Sequence, residues 1–261
     1  MSKLYASSYL EHLTQERRPG NTIAAARRVL RSLPNADTAT REDVEAWWAT
    51  RAHLSPATRS NDLAILRTFY AWCRRWEHRD DDPTLRIDAP KVPRGLPRPM
   101  SRADLTRLLP TLPDDLRRAV CLGAYGGLRV SEAAALTWHD VDLETRRVRV
   151  LGKGGKTRLV GMSPLLLDEL LPDTGGNVVT AGGAPYSAAA LQRRVNRAIR
   201  AAGVDCTYHQ LRHRFGTVAL AATGNLLAVS RAMGHASPAT TAIYAATSDA
   251  DLDVIADAVT R

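Results

Sequence analysis

The residue types with most chemical capacity lie towards the C-terminal end. His209 and Arg212 are three positions apart, which on a helix puts both side chains on one face. Leu211, Phe215, Val218 and Ala219 can fill the opposite face. Gly234 reads as a helix stop and places His235 at a helix end. Ser237 and Pro238 then begin another helix, as N-cap and first-turn residue, with Tyr244 at its end. An arginine, two histidines and a tyrosine thus arrive on a set of short helices. They offer a nucleophile, cationic donors and proton carriers, the parts needed to attack a phosphodiester.

Upstream, Arg129 follows Gly126 and Gly127 and precedes a helical stretch. A guanidinium near a helix N-terminus can grip two phosphate oxygens at once. Arg212 supplies a second fork from another helix. Two such groups neutralise the charge that builds in a pentacovalent transition state. Glu132, three residues after Arg129, is spaced to pair with it, and the plainer reading of both is a surface ion pair. Tyr244 read alone is an ordinary core aromatic. Its phenol, with a pKa of about 10, is a poor nucleophile at neutral pH and needs a base and a cationic field. With arginines in the place of a Lewis acid, no divalent metal or other cofactor is needed.

Two duller motifs compete. Lys153 and Lys156 share a glycine-flanked loop, and Gly155-Lys156-Thr157 ends like a phosphate-binding P-loop. That reading fails: its first glycine falls on Val150, and a strand rather than a helix follows. Cys206, His209 and His213 have metal-like spacing, but a fourth ligand, a second cysteine pair and an HExxH motif are missing. The acidic run Asp80, Asp81 and Asp82 reads as the end of a helical region rather than a cation site.

The elements that must position these groups follow from periodicity. Helices are predicted over 4–17, 23–33, 44–52 and 56–76, with Asn21-Thr22, the Thr40/Asp43 pair and Ser55-Pro56 as their starts. Residues 90–99, rich in proline and carrying Lys91, Arg94 and Arg98, form an extended linker suited to lie along phosphates. Beyond Ser101 come helices over 103–109, 116–125 and 130–136. The period then changes: 147–151 and 157–161 alternate as two strands of a hairpin. Helices follow over 164–171, 187–202, 208–222, 225–233, 238–245 and 249–259. The expected class is mainly α: a four-helix domain (1–90), the linker (91–100), and an α+β domain (101–261) with a small antiparallel sheet.

The chain has 261 residues, 44% hydrophobic, with a formal net charge of +9 and a pI near 9.9. Residues 1–92 carry 15 basic against 12 acidic side chains, and 93–261 carry 21 against 15, so both halves are positive. A polyanion is the natural partner. Three cysteines, Cys73, Cys121 and Cys206, give no disulfide framework and suit a reducing cytosol. No signal peptide or membrane span is legible, so no membrane partner is expected.

In order, Gly126-Gly127-Leu128-Arg129-Val130-Ser131-Glu132, Leu151-Gly152-Lys153-Gly154-Gly155-Lys156, His209-x-x-Arg212, Gly234-His235 and Tyr244 resemble the signature of the tyrosine recombinase (phage integrase) family. The resemblance extends over the N-terminal half, which is similar to the family's core-type DNA-binding domain. It implies catalysis by Arg129, Lys153, His209, Arg212, His235 and the nucleophile Tyr244, supported by Glu132. Lys153 would be the general acid on the departing 5′ oxygen, His209 the base, and His235 a donor to the phosphate. The implied activity is site-specific recombination through a 3′-phosphotyrosyl intermediate, serving integration or excision of phage or mobile DNA. Chromosome dimer resolution is one alternative, and a type IB topoisomerase or a non-catalytic DNA-binding protein another. The resemblance further implies double-stranded DNA carrying a core-type site, two lobes closing on the duplex, and a homotetramer in synapsis. The tetramer would exchange a C-terminal helix (249–261), and a directionality factor or host DNA-bending protein could assist. No separate arm-site domain is expected before the four-helix domain. The expected location is the bacterial cytoplasm, on the nucleoid.

Overall fold

The computed structural model describes residues 5–92, 98–152, 155–170 and 175–235. The chain divides into two compact units, Met1–Gly95 and Leu96–Arg261.

The first unit holds α1 (Tyr5–Gln15), α2 (Gly20–Ser32), α3 (Arg41–Thr50) and α4 (Pro56–Arg75). Two starts are as the sequence dictates. Thr40 and Asp43 form a reciprocal capping box on α3, and Ser55 accepts from the Thr58 N–H at the head of α4. The start of α2 differs. It begins at Gly20 after Pro19, whose carbonyl takes the Thr22 N–H at 2.9 Å, while Asn21 Oδ1 is spent on the same neighbouring N–H at 3.0 Å. Val29, Val44, Leu63, Leu66, Phe69, Tyr70 and Cys73 close the core at helical spacing. Asp62 is buried among them and is paired with Arg28 at 2.6 Å and Arg51 at 3.5 Å. The acidic run braces a turn: Asp81 pairs with Arg79, and Asp82 Oδ1 accepts from Thr84 N and Oγ1.

The second unit opens with α5 (Arg102–Leu108), capped by Ser101, and α6 (Asp114–Gly126). Next come α7 (Val130–Ala135), β1 (Val141–Asp142), β2 (Arg147–Leu151), β3 (Thr157–Gly161) and α8 (Pro164–Glu169). It continues with β4 (Thr180–Ala181), β5 (Ala184–Pro185), α9 (Ala188–Ala201), α10 (Tyr208–Thr223) and α11 (Leu226–Met233). Helix α6 is the central element, packed by α7, α8, α9 and α10. Its approach to α10 needs Gly123: an added Cβ there would lie 3.1 Å from the Tyr208 ring and 3.2 Å from Leu211 Cβ. The hairpin boundaries match the alternation, and β1 adds a third strand in the order β1-β2-β3. Two residues are too few for a period to show, which is why β1, β4 and β5 are illegible in the sequence. Val148, Val150 and Val160 face the core. Val218, assigned from spacing to the packed face of α10, is instead 50% exposed, although Leu211, two turns earlier on the same face, is buried. The expected helices at 238–245 and 249–259 lie outside the described residues.

Candidate active site

The site is built at the seam between α6, α7, β3, α10 and α11. Gly127 ends α6 in the left-handed conformation (φ 65°), and a side chain there would run into the Phe215 ring. This turn delivers Arg129 as the N-cap residue of α7. Glu132 reaches back to accept the Arg129 backbone N–H at 2.7 Å and its guanidinium at 2.8 Å. The expected ion pair is therefore present. It is only half at the surface, since Glu132 is buried and Arg129 is 38% exposed.

Helix α10 has Thr207 as its N-cap, with the Thr207 N–H donating to Gln210 Oε1 at 2.7 Å, and carries His209 and Arg212 on one side as the spacing requires. The two differ in burial. His209 is exposed, whereas the Arg212 side chain is 2% exposed and donates to the carbonyls of Gly127 and of Met233, the latter at 2.6 Å. Arg212 thus ties the turn before Arg129 to the end of α11. Gly234 stops α11 in the left-handed conformation (φ 63°), as expected, and His235 follows directly.

Arg158 on β3 is a member that motif reasoning missed. Its guanidinium takes both carboxylate oxygens of Glu132, at 2.9 and 2.8 Å, and its Nε donates to the Ala232 carbonyl at 2.8 Å. The signal was available. In the β2–β3 register Arg158 sits opposite Val150, on the same side as Val160. An arginine on the inward beat of an alternating strand must have a buried partner.

At the last turn of α11, three successive carbonyls each accept from a different arginine. Ala232 is held by Arg158, Met233 by Arg212, and Gly234 by Arg129, the last at 2.9 Å. A helix C-terminus leaves such carbonyls without intrahelical donors and favours cations. Burial alone would raise the Glu132 pKa, but hydrogen bonds from Arg158 and Arg129 outweigh it and hold it at about 2. The carboxylate stays ionised amid three guanidinium groups, with Arg212 Nη1 at 3.9 Å. The net field is positive.

That field acts on the histidines. Desolvation, then the charges of Arg212 and Arg129, lower the His209 pKa. Desolvation followed by Arg212, Arg129, Arg158 and His213 brings His235 to about 4. His213 packs edge-on against His209, with ring centroids 4.3 Å apart, and is likewise brought to about 4, first by desolvation. The rings are neutral at pH 7, so they can accept protons, and a bound anion would raise their pKa values. Among the described residues, no group of three or more His, Cys, Asp or Glu is placed to hold a metal ion.

Lys153 and Tyr244 lie outside the described residues, so the structure brings together Arg129, Glu132, His209, Arg212 and His235 of the expected set. Gly155 and the hairpin strands flanking Lys153 are described, with Gly152 N–H bonded to the Lys156 carbonyl at 2.8 Å.

The sequence model of the phage integrase family matches residues 100–251. The chain belongs to the phage integrase family. It is a site-specific tyrosine recombinase, a DNA strand transferase, as the resemblance implied. Its relatives include tyrosine recombinase XerC of Xanthomonas campestris pv. campestris (strain B100), 36% identical over 264 residues, covering 90% of this chain and 82% of that one. Tyrosine recombinase XerD of Xanthomonas axonopodis pv. citri (strain 306) is 36% identical over 225 residues, covering 76% and 74%. In fold, the recombinase is similar to the Tn1549 transposon integrase solved with transposon right-end DNA, with a TM-score of 0.76 at 18% identity, over 99% of this chain and 98% of that one. The mainly α class, with its small antiparallel sheet, stands.

Proposed function

We propose that Tyr244 attacks the scissile phosphate of duplex DNA. The phenol oxygen bonds to phosphorus, the bond to the 5′ oxygen breaks, and a 3′-phosphotyrosyl link and a free 5′-hydroxyl result. His209 takes the phenolic proton, and Lys153 gives one to the departing 5′ oxygen. Arg129 and Arg212 neutralise the phosphate, Arg129 from the surface and Arg212 from beneath it. His235 donates to a phosphate oxygen once the anion has raised its pKa. The single observation that carries this reading is the convergence of Arg129 and Arg212 on the turn that delivers His235, with His209 in the same positive field. The phosphoester energy is retained in the link, so rejoining to a second strand needs no cofactor.

In this reading residues 1–90 are a core-type DNA-binding domain, 91–100 a linker along the backbone, and 101–261 the catalytic domain. Four protomers assemble on two duplexes, and 249–261 dock on a neighbour. A directionality factor or DNA-bending protein of the host can bias the outcome. The work is done on the nucleoid, in the bacterial cytoplasm; no helix of the described residues is long and apolar enough to cross a membrane. Integration or excision of mobile DNA is one role the family membership supports. The XerC and XerD relatives favour a second, the resolution of chromosome dimers.

The test is strand joining between two labelled duplexes by the full chain and by a chain lacking 249–261. Joined product from the full chain, lost on truncation while the monomer stays folded, is expected. Relaxation of supercoiled DNA without joining would mark a topoisomerase instead. Dimeric chromosomes accumulating in cells that lack the protein would decide for resolution over integration.

A further inference from the structure

Arg158 is separated by its geometry from the arginines assigned to the phosphate. Each of its three guanidinium nitrogens donates to a protein oxygen: Nε to Ala232, Nη1 and Nη2 to Glu132. Its side chain is 11% exposed. Gly234 packs close against it: a Cβ there would stand 2.9 Å from Nη1 and 3.1 Å from Cδ and Cζ. The residue after that contact surface is His235. On its other side, Glu132 holds both the backbone and the guanidinium of Arg129.

We propose that Arg158 is a positioning residue for strand cleavage, locking the last turn of α11 to Glu132 and so setting His235 against the Arg129 guanidinium. This rests on the reading that the site cleaves DNA. The sheet makes the lock rigid. Arg158 is anchored opposite Val150 within a ladder whose neighbouring inward residues are buried, so its Cα cannot drift. Only a planar fork can serve α11 and the carboxylate together. An ammonium at the same place would carry the charge but could not satisfy both carboxylate oxygens and the Ala232 carbonyl in one plane. Among the described residues, the charged and titratable groups acting on His235 include Arg158 from β3, Arg212 and His213 from α10, and Arg129 from the head of α7, the last paired with Glu132. Withdrawing one cation from that set relaxes the field on the imidazole.

The experiment uses the full chain with Arg158→Gln and Arg158→Lys. It reads single-turnover covalent adduct on a nicked suicide duplex, duplex affinity, and the titration of the His235 imidazole by NMR, assigned against His235→Asn. For Arg158→Gln, adduct formation should fall about 30- to 100-fold, the scale of a misplaced catalytic group. Duplex affinity should stay within about threefold, as for an interaction realised in the transition state. His235 should titrate above its value of about 4, towards the ordinary histidine range. For Arg158→Lys, adduct formation should fall comparably while His235 keeps its low pKa. That variant decides the matter if the glutamine form does not fold. A variant that cleaves at the wild-type rate overturns the proposal. So does a parallel fall of cleavage and affinity with the His235 titration unmoved, which would mark mere support of the fold. If the wild type forms no adduct, the cleavage reading itself fails, and the placement is decided by the imidazole NMR shifts of His235 in Arg158→Lys, which keeps the charge: shifts moved from wild type support the lock, and unchanged shifts overturn it.

Discussion

Arg129 and Gly234 are 105 positions apart in sequence, yet the Arg129 guanidinium donates to the Gly234 carbonyl at 2.9 Å. The contact joins the head of α7 to the tail of α11. It makes the position of His235 depend on the turn after α6 as much as on its own helix. Glu132 is the other half of that dependence, because it fixes Arg129 and Arg158 together.

Removing the charge of Glu132 should therefore unfold the catalytic unit more readily. Its side chain is 5% exposed and neutralises guanidinium groups that would otherwise be left uncompensated. Glu132→Gln is expected to cost about 3 kcal/mol, the scale of breaking one side of a buried ion pair. Urea unfolding of the two proteins measures this directly; a cost within experimental error would show the cluster to be ornamental.

Glycines 224 and 234 form a matched pair. Both cap helices in the left-handed conformation, with φ of 60° and 63°. A Cβ on Gly224 meets nothing within 4 Å, whereas on Gly234 it strikes Arg158. Gly224→Ala should cost about 1–2 kcal/mol, the left-handed penalty alone. Gly234→Ala should cost more in unfolding experiments, because Arg158 must leave Glu132 or Ala232. Equal costs would contradict the described packing.

The pH dependence follows from the lowered pKa values. His213 and His235 are neutral when folded and titrate at about 4, below the ordinary value of 6.5. The unfolded chain binds more protons in between, so stability is full above pH 6.5 and declines as pH falls towards 4. Glu132, at about 2 against an ordinary 4.5, adds stability that is present above 4.5 and is lost as pH falls through 2. For cleavage, a neutral His209 base in the DNA-free protein places the acid limb of the kcat/KM profile below pH 6.5. An acid limb at or above 6.5 would remove His209 from that role.

Much of this was legible. The hairpin at 147–151 and 157–161, the helix starts at Ser55 and Ser101, and the stop at Gly234 follow from alternation and caps alone. The sequence marks the candidate site residues as an ordered set of motifs, each weak alone, and among the described residues Arg129, Glu132, His209, Arg212 and His235 lie together. Two things were not. The burial of Arg212 depends on which carbonyls lie under α10, which no local pattern encodes. Alternation put Arg158 on the inward beat of its strand, but its partner Glu132, 26 positions away on α7, is set by tertiary packing that no local pattern encodes.

Binding should be dominated by phosphates. The chain carries a net charge of +9, positive in both halves. The logarithm of duplex affinity should fall linearly with the logarithm of salt concentration, as counterions are released. Fluorescence anisotropy across a salt series would show it, and a flat response would refute a phosphate-led grip.

Cleavage by the proposed route leaves Tyr244 joined to DNA. The full chain is incubated with a nicked suicide duplex carrying its recombination site, and the adduct is digested and sequenced by mass spectrometry. A phosphotyrosyl peptide at Tyr244 is expected, absent in Tyr244→Phe. An adduct on any other residue, or an equal adduct in Tyr244→Phe, would contradict it.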